Sequence, residues 1–205
     1  RPALRFSVTG RRGEYPGLTL PLLGRHQAVN AATAIGALEV LADAGRIDLD
    51  PATVARGLAA VQCPARMEVV SASPLILLDG AHNVISMRSV CAVLDEHLAG
   101  RRIVLLFGAA RDKDIAGMMR MILPKADAVV LTRSKSPRAA MPEELVRLAG
   151  ETGREGVESF DDAEAALDRA LALTGPKDAL LITGSFYLAG LLRPRLCEAA
   201  VKGGC

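Results

Sequence analysis

Aromatic side chains are scarce. Phe6, Tyr15, Phe107, Phe160, Phe186 and Tyr187 are the full set, and Trp is missing. Single-stranded nucleic acids are held on stacking rings, so the composition counts against that class. An excess of one charge is missing too. The 25 basic and 23 acidic residues leave a net +2, without the basic face of a dedicated nucleic-acid binder. No apolar run approaches the ~18 residues of a membrane span. The richest stretch, Ala179 to Leu192, is interrupted by Thr183, Gly184 and Ser185. Cys63, Cys91, Cys197 and Cys205 lie far apart and form no C-x-x-C pair. That spacing suits neither a disulfide scaffold nor a zinc site and reads as reduced thiols in a cytoplasmic protein. The opening, RPALRFSVTGRR, lacks the apolar core of a secretory signal. It also lacks Met, and the expectation is a stretch from within something longer.

Several catalytic signatures are missing as well. There is no G-x-x-x-x-G-K-[ST] loop to cradle phosphates and no G-x-G-x-x-G after any apolar run. Ser185 stands in G-S-F-Y, without the nucleophile-elbow pattern. On its own residues, this chain does not close a catalytic mechanism.

What is present is ample material for a core. Half of the 205 residues are hydrophobic and 23% are charged, a length that suggests one to two domains. Residues 1–24 carry short apolar runs split by Gly10, Gly13, Pro16 and Gly17, which predicts a hairpin. From His26 to Ala44 the period turns helical, with Ala28, Ala31, Ala32, Ile35, Leu38, Leu41 and Ala42 on one stripe and Gly45 as the stop. Asp50-Pro51 predicts an N-cap and first turn for a second helix that buries Val54, Leu58 and Val61. After Cys63-Pro64 the pattern changes. Strand-like runs at 67–70, 75–78, 103–107, 128–131 and 179–182 alternate with helical stretches at 85–98, 115–123, 142–149 and 163–173, and a last helix runs from about 187 to 200. Continuous Leu, Ile and Val runs fit strands covered on both faces. The expected fold is therefore α/β, a doubly wound and mostly parallel sheet, preceded by a short β segment with two helices. The expected division is residues 1–63 and residues 64–205.

Open parallel sheets bind ligands beyond the carboxyl ends of their strands. The segments there are Asp79-Gly80-Ala81-His82-Asn83, Gly108 to Asp114, Thr132 to Arg138, and Thr183-Gly184-Ser185. Asp79 is placed to accept ribose hydroxyls or, alternatively, to cap the next helix. His82 is placed to bond sugar or phosphate oxygens, or to be a satisfied loop histidine. Asp112 is a candidate cap beside a solvated Lys113.

Five segments then carry a resemblance. LPLLGRHQAVNAATAIGALEVL resembles a helix-opening segment of the folylpolyglutamate and dihydrofolate synthases, within the wider Mur ligase superfamily. CPARMEVV resembles their P-G-R-[LMF]-E junction, LLDGAHNV their D-G-A-H-N-P signature, FGAARDKDIAGMM their G-x-x-x-D-K-D segment, and ITGSFYLAG their G-S-[LF]-Y turn. Two positions depart, Ala65 for glycine and Val84 for proline, and altered loop geometry is the expectation at both. The resemblance implies that residues 1–63 are the tail of a central ATP-binding domain and residues 64–205 a Mur ligase C-terminal domain, with the P-loop region outside this chain. It implies a ligase in which ATP phosphorylates a folate or dihydropteroate carboxylate and L-glutamate displaces the phosphate. By motif position Asn30 would meet the adenine side of ATP, Arg66 the phosphates and Asp79 the ribose. His82 and Ser185 would lie near nucleotide or glutamate. Mg2+ would be held mainly outside this chain, with no metal ligands within it. The protein would be cytoplasmic and monomeric, with no nucleic-acid or membrane partner, and the chain alone inactive. Two competing readings are a free-standing, non-catalytic nucleotide- or amino-acid-binding module and a Mur-type cell-wall ligase fragment. An upstream phosphate-binding loop would separate off the first, and substrate tests the second.

Overall fold

The computed structural model describes residues 3–202, so Arg1, Pro2 and the Cys205 thiol lie outside the described residues. The chain divides into two compact units, one ending at Pro64 and one beginning at Ala65.

In the first unit β1 (Leu4–Thr9) pairs antiparallel with β2 (Glu14–Leu20), followed by α1 (His26–Asp43) and α2 (Pro51–Ala59). Tyr15, Leu18, Ile35 and Val54 form its core. The Asp50 side chain accepts the Thr53 N–H at 2.9 Å and Pro51 opens α2, as the spacing predicts. The stripe expected on α1 is displaced. Gln27, Ala31, Ile35 and Glu39 are its buried residues, whereas Leu41 is 45% exposed. The cause is Glu39, whose carboxylate reaches the hairpin turn. It accepts the Arg11 and Arg12 N–H groups at 2.9 and 3.0 Å and the Tyr15 hydroxyl at 3.1 Å. A charge so placed is kept by its bonds, which satisfy what burial would otherwise leave unsolvated.

The second unit is a six-stranded sheet. In chain order it runs β3 (Glu68–Ala72), β4 (Leu75–Leu78), α3 (Val84–His97), β5 (Ile103–Phe107), α4 (Ile115–Ile122), β6 (Ala128–Thr132), α5 (Pro142–Glu151), β7 (Glu158–Phe160), α6 (Ala163–Leu173), β8 (Ala179–Thr183) and α7 (Phe186–Lys202). The spatial order is β3-β4-β8-β5-β6-β7. Five strands are parallel, and β3 alone runs antiparallel, on β4. Its connection is only Ser73-Pro74, too short for a parallel crossover. Strand β7 has three residues and is not signalled by any apolar run. All five residues of β5 and of β8 are buried, as continuous apolar runs require. The chain steps outward from β4 to β7 through α3, α4 and α5, then returns through α6 to insert β8 beside β4. With right-handed crossovers, the return helix lies on the opposite face. The winding reverses at β4 and β8, where an open sheet offers its crevice.

Candidate functional site

The first loop of the second unit leads directly into β3. Ala65 and Met67 adopt left-handed backbone at φ 55 and 46, and both are buried. Such a conformation is unfavourable for any residue with a Cβ, so something must hold it. Two carboxylates do. Glu68 Oε2 accepts the Ala65 N–H at 3.0 Å. Asp79, at the end of β4, accepts the Met67 N–H at 2.8 Å through Oδ2 and the Ala81 N–H at 2.7 Å through Oδ1. The Gly80 N–H donates to the Ala65 carbonyl at 2.8 Å. Arg66 is the middle residue of this clamped turn. Where glycine stands in the resembling motif, Ala65 occupies a position whose φ glycine would adopt freely.

The Arg66 guanidinium lies 4.8 Å from the ring centroid of Phe186, the first residue of α7. The same ring is 5.4 Å from His82, tilted by 47°. A Cβ on Gly80 would fall 2.2 Å from this ring, so the ring sits directly against the β4 loop. Phe186 is nevertheless 40% exposed. His82 Nδ1 contacts the Gly80 carbonyl at 3.0 Å. In the sequence Phe186 stands out only as part of the G-S-F-Y turn. Its signal was that one of six aromatics starts a helix at a strand end.

Ser185 is buried and its Oγ accepts the Tyr187 N–H at 3.1 Å, so it caps α7. Asp79 does not cap α3. That role belongs to Asn83, whose Oδ1 accepts the Ser86 N–H at 2.8 Å in a capping box. Val84 is then the first helical residue, where proline is favoured but not required. Asp114, not Asp112, caps α4, accepting the Gly117 N–H at 2.7 Å. Asp112 instead pairs with Arg138 at 2.6 Å and Lys113 at 3.1 Å. Arg138, followed by Lys113, holds the Asp112 carboxyl below the usual carboxylate range. These contacts tie the loop after β5 to the loop after β6, with the Ala140 N–H donating to the Ala109 carbonyl at 2.9 Å. Gly108 lies so close to the Thr132 carbonyl, 2.4 Å from where a Cβ would sit, that a side chain is excluded.

Arg66, Asp79, His82 and Ser185 thus share the β4–β8 end of the sheet, around Phe186. Asn30 belongs to the first unit, on α1, with Nδ2 donating to Gln27 Oε1 at 3.0 Å. Among the described residues no group of three or more His, Cys, Asp or Glu side chains could hold a metal ion. Cys63, Cys91 and Cys197 are free thiols, and burial pushes the Cys91 thiol up. No described helix is long and apolar enough to cross a membrane.

By its winding the second unit is an open, mostly parallel α/β sheet, a class in which ligands bind beyond the strand ends. The family model described as "Mur ligase, glutamate ligase domain" matches residues 65–186, and the chain belongs to the Mur ligase family. A dihydrofolate synthase/folylpolyglutamate synthase of Mycobacterium tuberculosis is 33% identical over 203 residues, covering 92% of this chain and 42% of the relative. A folylpolyglutamate synthase of Lacticaseibacillus casei is 33% identical over 192 residues, 94% of this chain and 43% of the relative. The solved Mycobacterium tuberculosis folylpolyglutamate synthase complexed with ADP matches with a TM-score of 0.84 and 32% identity, over 95% of this chain and 44% of that one. The chain spans less than half the length of these relatives.

Proposed function

We propose that this chain is the C-terminal portion of an ATP-dependent ligase that joins glutamate to a folate or dihydropteroate carboxylate. Residues 1–63 would be the end of its ATP-binding domain and residues 64–205 its glutamate ligase domain. The observation that carries this reading is the match of residues 65–186 to a glutamate ligase domain, supported by an ADP-bound relative of the same fold.

In this reading the carboxylate oxygen attacks the γ-phosphorus of ATP and ADP leaves. The glutamate amine then attacks the acyl carbon, the C–O bond to phosphate breaks, and one proton is lost from nitrogen. Charge builds on phosphoryl oxygens in the first step, and positioned cations stabilise it. Arg66 supplies a planar fork suited to those oxygens, and its clamped loop limits the reorganisation needed. Asp79, which accepts the Met67 and Ala81 N–H groups, is the carboxylate that meets the ribose hydroxyls in this reading. His82 meets nucleotide or glutamate. Ser185 retains its hydroxyl proton for a nearby oxygen while it caps α7. Asn30 meets the adenine side. Magnesium ligands belong to residues outside this chain.

A coupled phosphate-release assay tests this. The complete gene product should release phosphate only when dihydropteroate or folate, glutamate and ATP are all present, and residues 1–205 alone should release none. Folate-dependent turnover by the chain alone would overturn the reading, as would a complete gene product that turns over without glutamate.

A further inference from the structure

One helix, α7, supplies a contact to Arg66 and a second contact to the carboxylate that holds its loop. Phe186 opens α7 and lies under the guanidinium at 4.8 Å. Two turns along, Arg193 grips Glu68 through Nε at 3.0 Å and Nη2 at 2.7 Å. Glu68 in turn accepts the Ala65 N–H at 3.0 Å, next to Arg66 in the chain. The pair is partly covered, with side-chain exposures of 38% for Arg193 and 21% for Glu68. A two-point guanidinium–carboxylate fork fixes direction as well as distance.

We propose that Phe186, Glu68 and Arg193 are positioning residues through which α7 sets the direction of the Arg66 guanidinium for an oxyanion ligand such as a nucleotide phosphate. The proposal rests on the reading of Arg66 given above. The geometry favours it over a purely architectural role in two ways. A residue serving only the core would be buried, whereas Phe186 is 40% exposed, with its ring against both Arg66 and His82. Glu68 does not merely bridge to α7, since its Oε2 also accepts an N–H of the left-handed turn. A cation over an aromatic face loses rotational freedom without losing its N–H donors. Arg66 therefore remains able to meet an anion while its direction is fixed.

The test is a double-mutant cycle in the complete gene product, reading the affinity of a non-hydrolysable ATP analogue by calorimetry. Arg66→Ala should weaken binding most. Phe186→Ala and Glu68→Gln should each weaken it by about 3- to 30-fold, the range expected for a cation–ring contact or its equivalent. In the Arg66→Ala background the same two substitutions should have no further effect, and Phe186→Tyr should restore the wild-type affinity. Should Phe186→Ala fail to fold, Phe186→Leu keeps the apolar volume and removes only the ring. Full additivity with Arg66→Ala, or unchanged affinity in Phe186→Ala and Glu68→Gln, would overturn the proposal. Unchanged affinity in Arg66→Ala itself would instead overturn the role given to Arg66.

Discussion

Each unit buries a carboxylate that fastens a loop, and the two loops differ in what they carry. In the first unit Glu39 reaches from a helix to a hairpin turn, and the turn makes room for it. A Cβ on Gly10 would stand 2.3 Å from Glu39 Oε1. In the second unit Asp79 reaches from a strand end to a turn without glycine, where Ala65 and Met67 hold left-handed backbone. The first turn yields to its carboxylate by shedding a side chain. The second accepts strain and keeps three side chains, with Arg66 in the middle. Strain of this kind persists only where the surroundings over-determine it, and it gathers at working parts of a protein. The comparison marks 65–67, and not the hairpin, as the place to look for function.

The contrast can be broken most severely by crowding the sheet. Gly108→Ala should cost about 3 kcal/mol or more, since a Cβ would strike the Thr132 carbonyl, which is backbone and cannot rotate away. Gly10→Ala should cost less, because there the obstacle is a side chain. Denaturant titration of the two variants orders them, and a smaller loss for Gly108→Ala would contradict the packing argument.

Next comes Asp79→Asn. As a ribose ligand alone it should weaken ATP with little change in melting temperature. The structure adds a second expectation, because an amide nitrogen cannot accept the Met67 or Ala81 N–H. One buried donor is left unpaired, at a cost of about 1–3 kcal/mol, so the melting temperature should fall by several degrees. An unchanged melting temperature would show that the clamp is dispensable.

The hairpin has its own pH signature. The Arg12 N–H, then that of Arg11, hold the Glu39 carboxyl below the usual range. A depressed pKa stabilises the fold above the unfolded value, ~4.3 for Glu, and that contribution disappears as pH falls through the folded value. Exchange protection of the Arg11 and Arg12 amides should therefore be lost selectively in acid, below about pH 4. Protection that outlasts the rest of the first unit would contradict this.

The smallest effect sharpens the contrast. Ala65→Gly should raise stability by about 0.5–1 kcal/mol, the left-handed penalty of ~1–2 kcal/mol less the extra chain entropy of glycine. It should also loosen the presentation of Arg66. A loss of stability would mean that the turn stores no strain at Ala65.

Much of the sheet was legible because its signals are local. The runs at 75–78 and 103–107 coincide with β4 and β5, and Ala163–Leu173 matches α6 in full. Strand β7 escaped because three residues with one apolar end, Glu158-Ser159-Phe160, carry no period. Glu39 escaped because charge argues for a surface position until its partners, 24 to 28 residues away, are known. The site was legible as a list of strand-end residues but not as an arrangement. Backbone sign at Ala65 and Met67, and the ring of Phe186 between Arg66 and His82, follow from contacts distant in sequence. Residue types alone do not contain them.

The place of β8 has a consequence for how the second unit comes into being. Among the described residues it is the last strand of the second unit in chain order, yet it fills the slot between β4 and β5, pairing Leu75 with Ala179 and Ile103 with Ala179. Until that segment leaves the ribosome, two strong apolar strands stand apart with open edges between them. Their closure waits on contacts about a hundred residues apart in sequence, which slows folding and leaves the waiting edges sticky. A nascent chain stalled before Ala179 should thus be a client for chaperones. Once α7 has emerged, the second unit should close as a single cooperative piece.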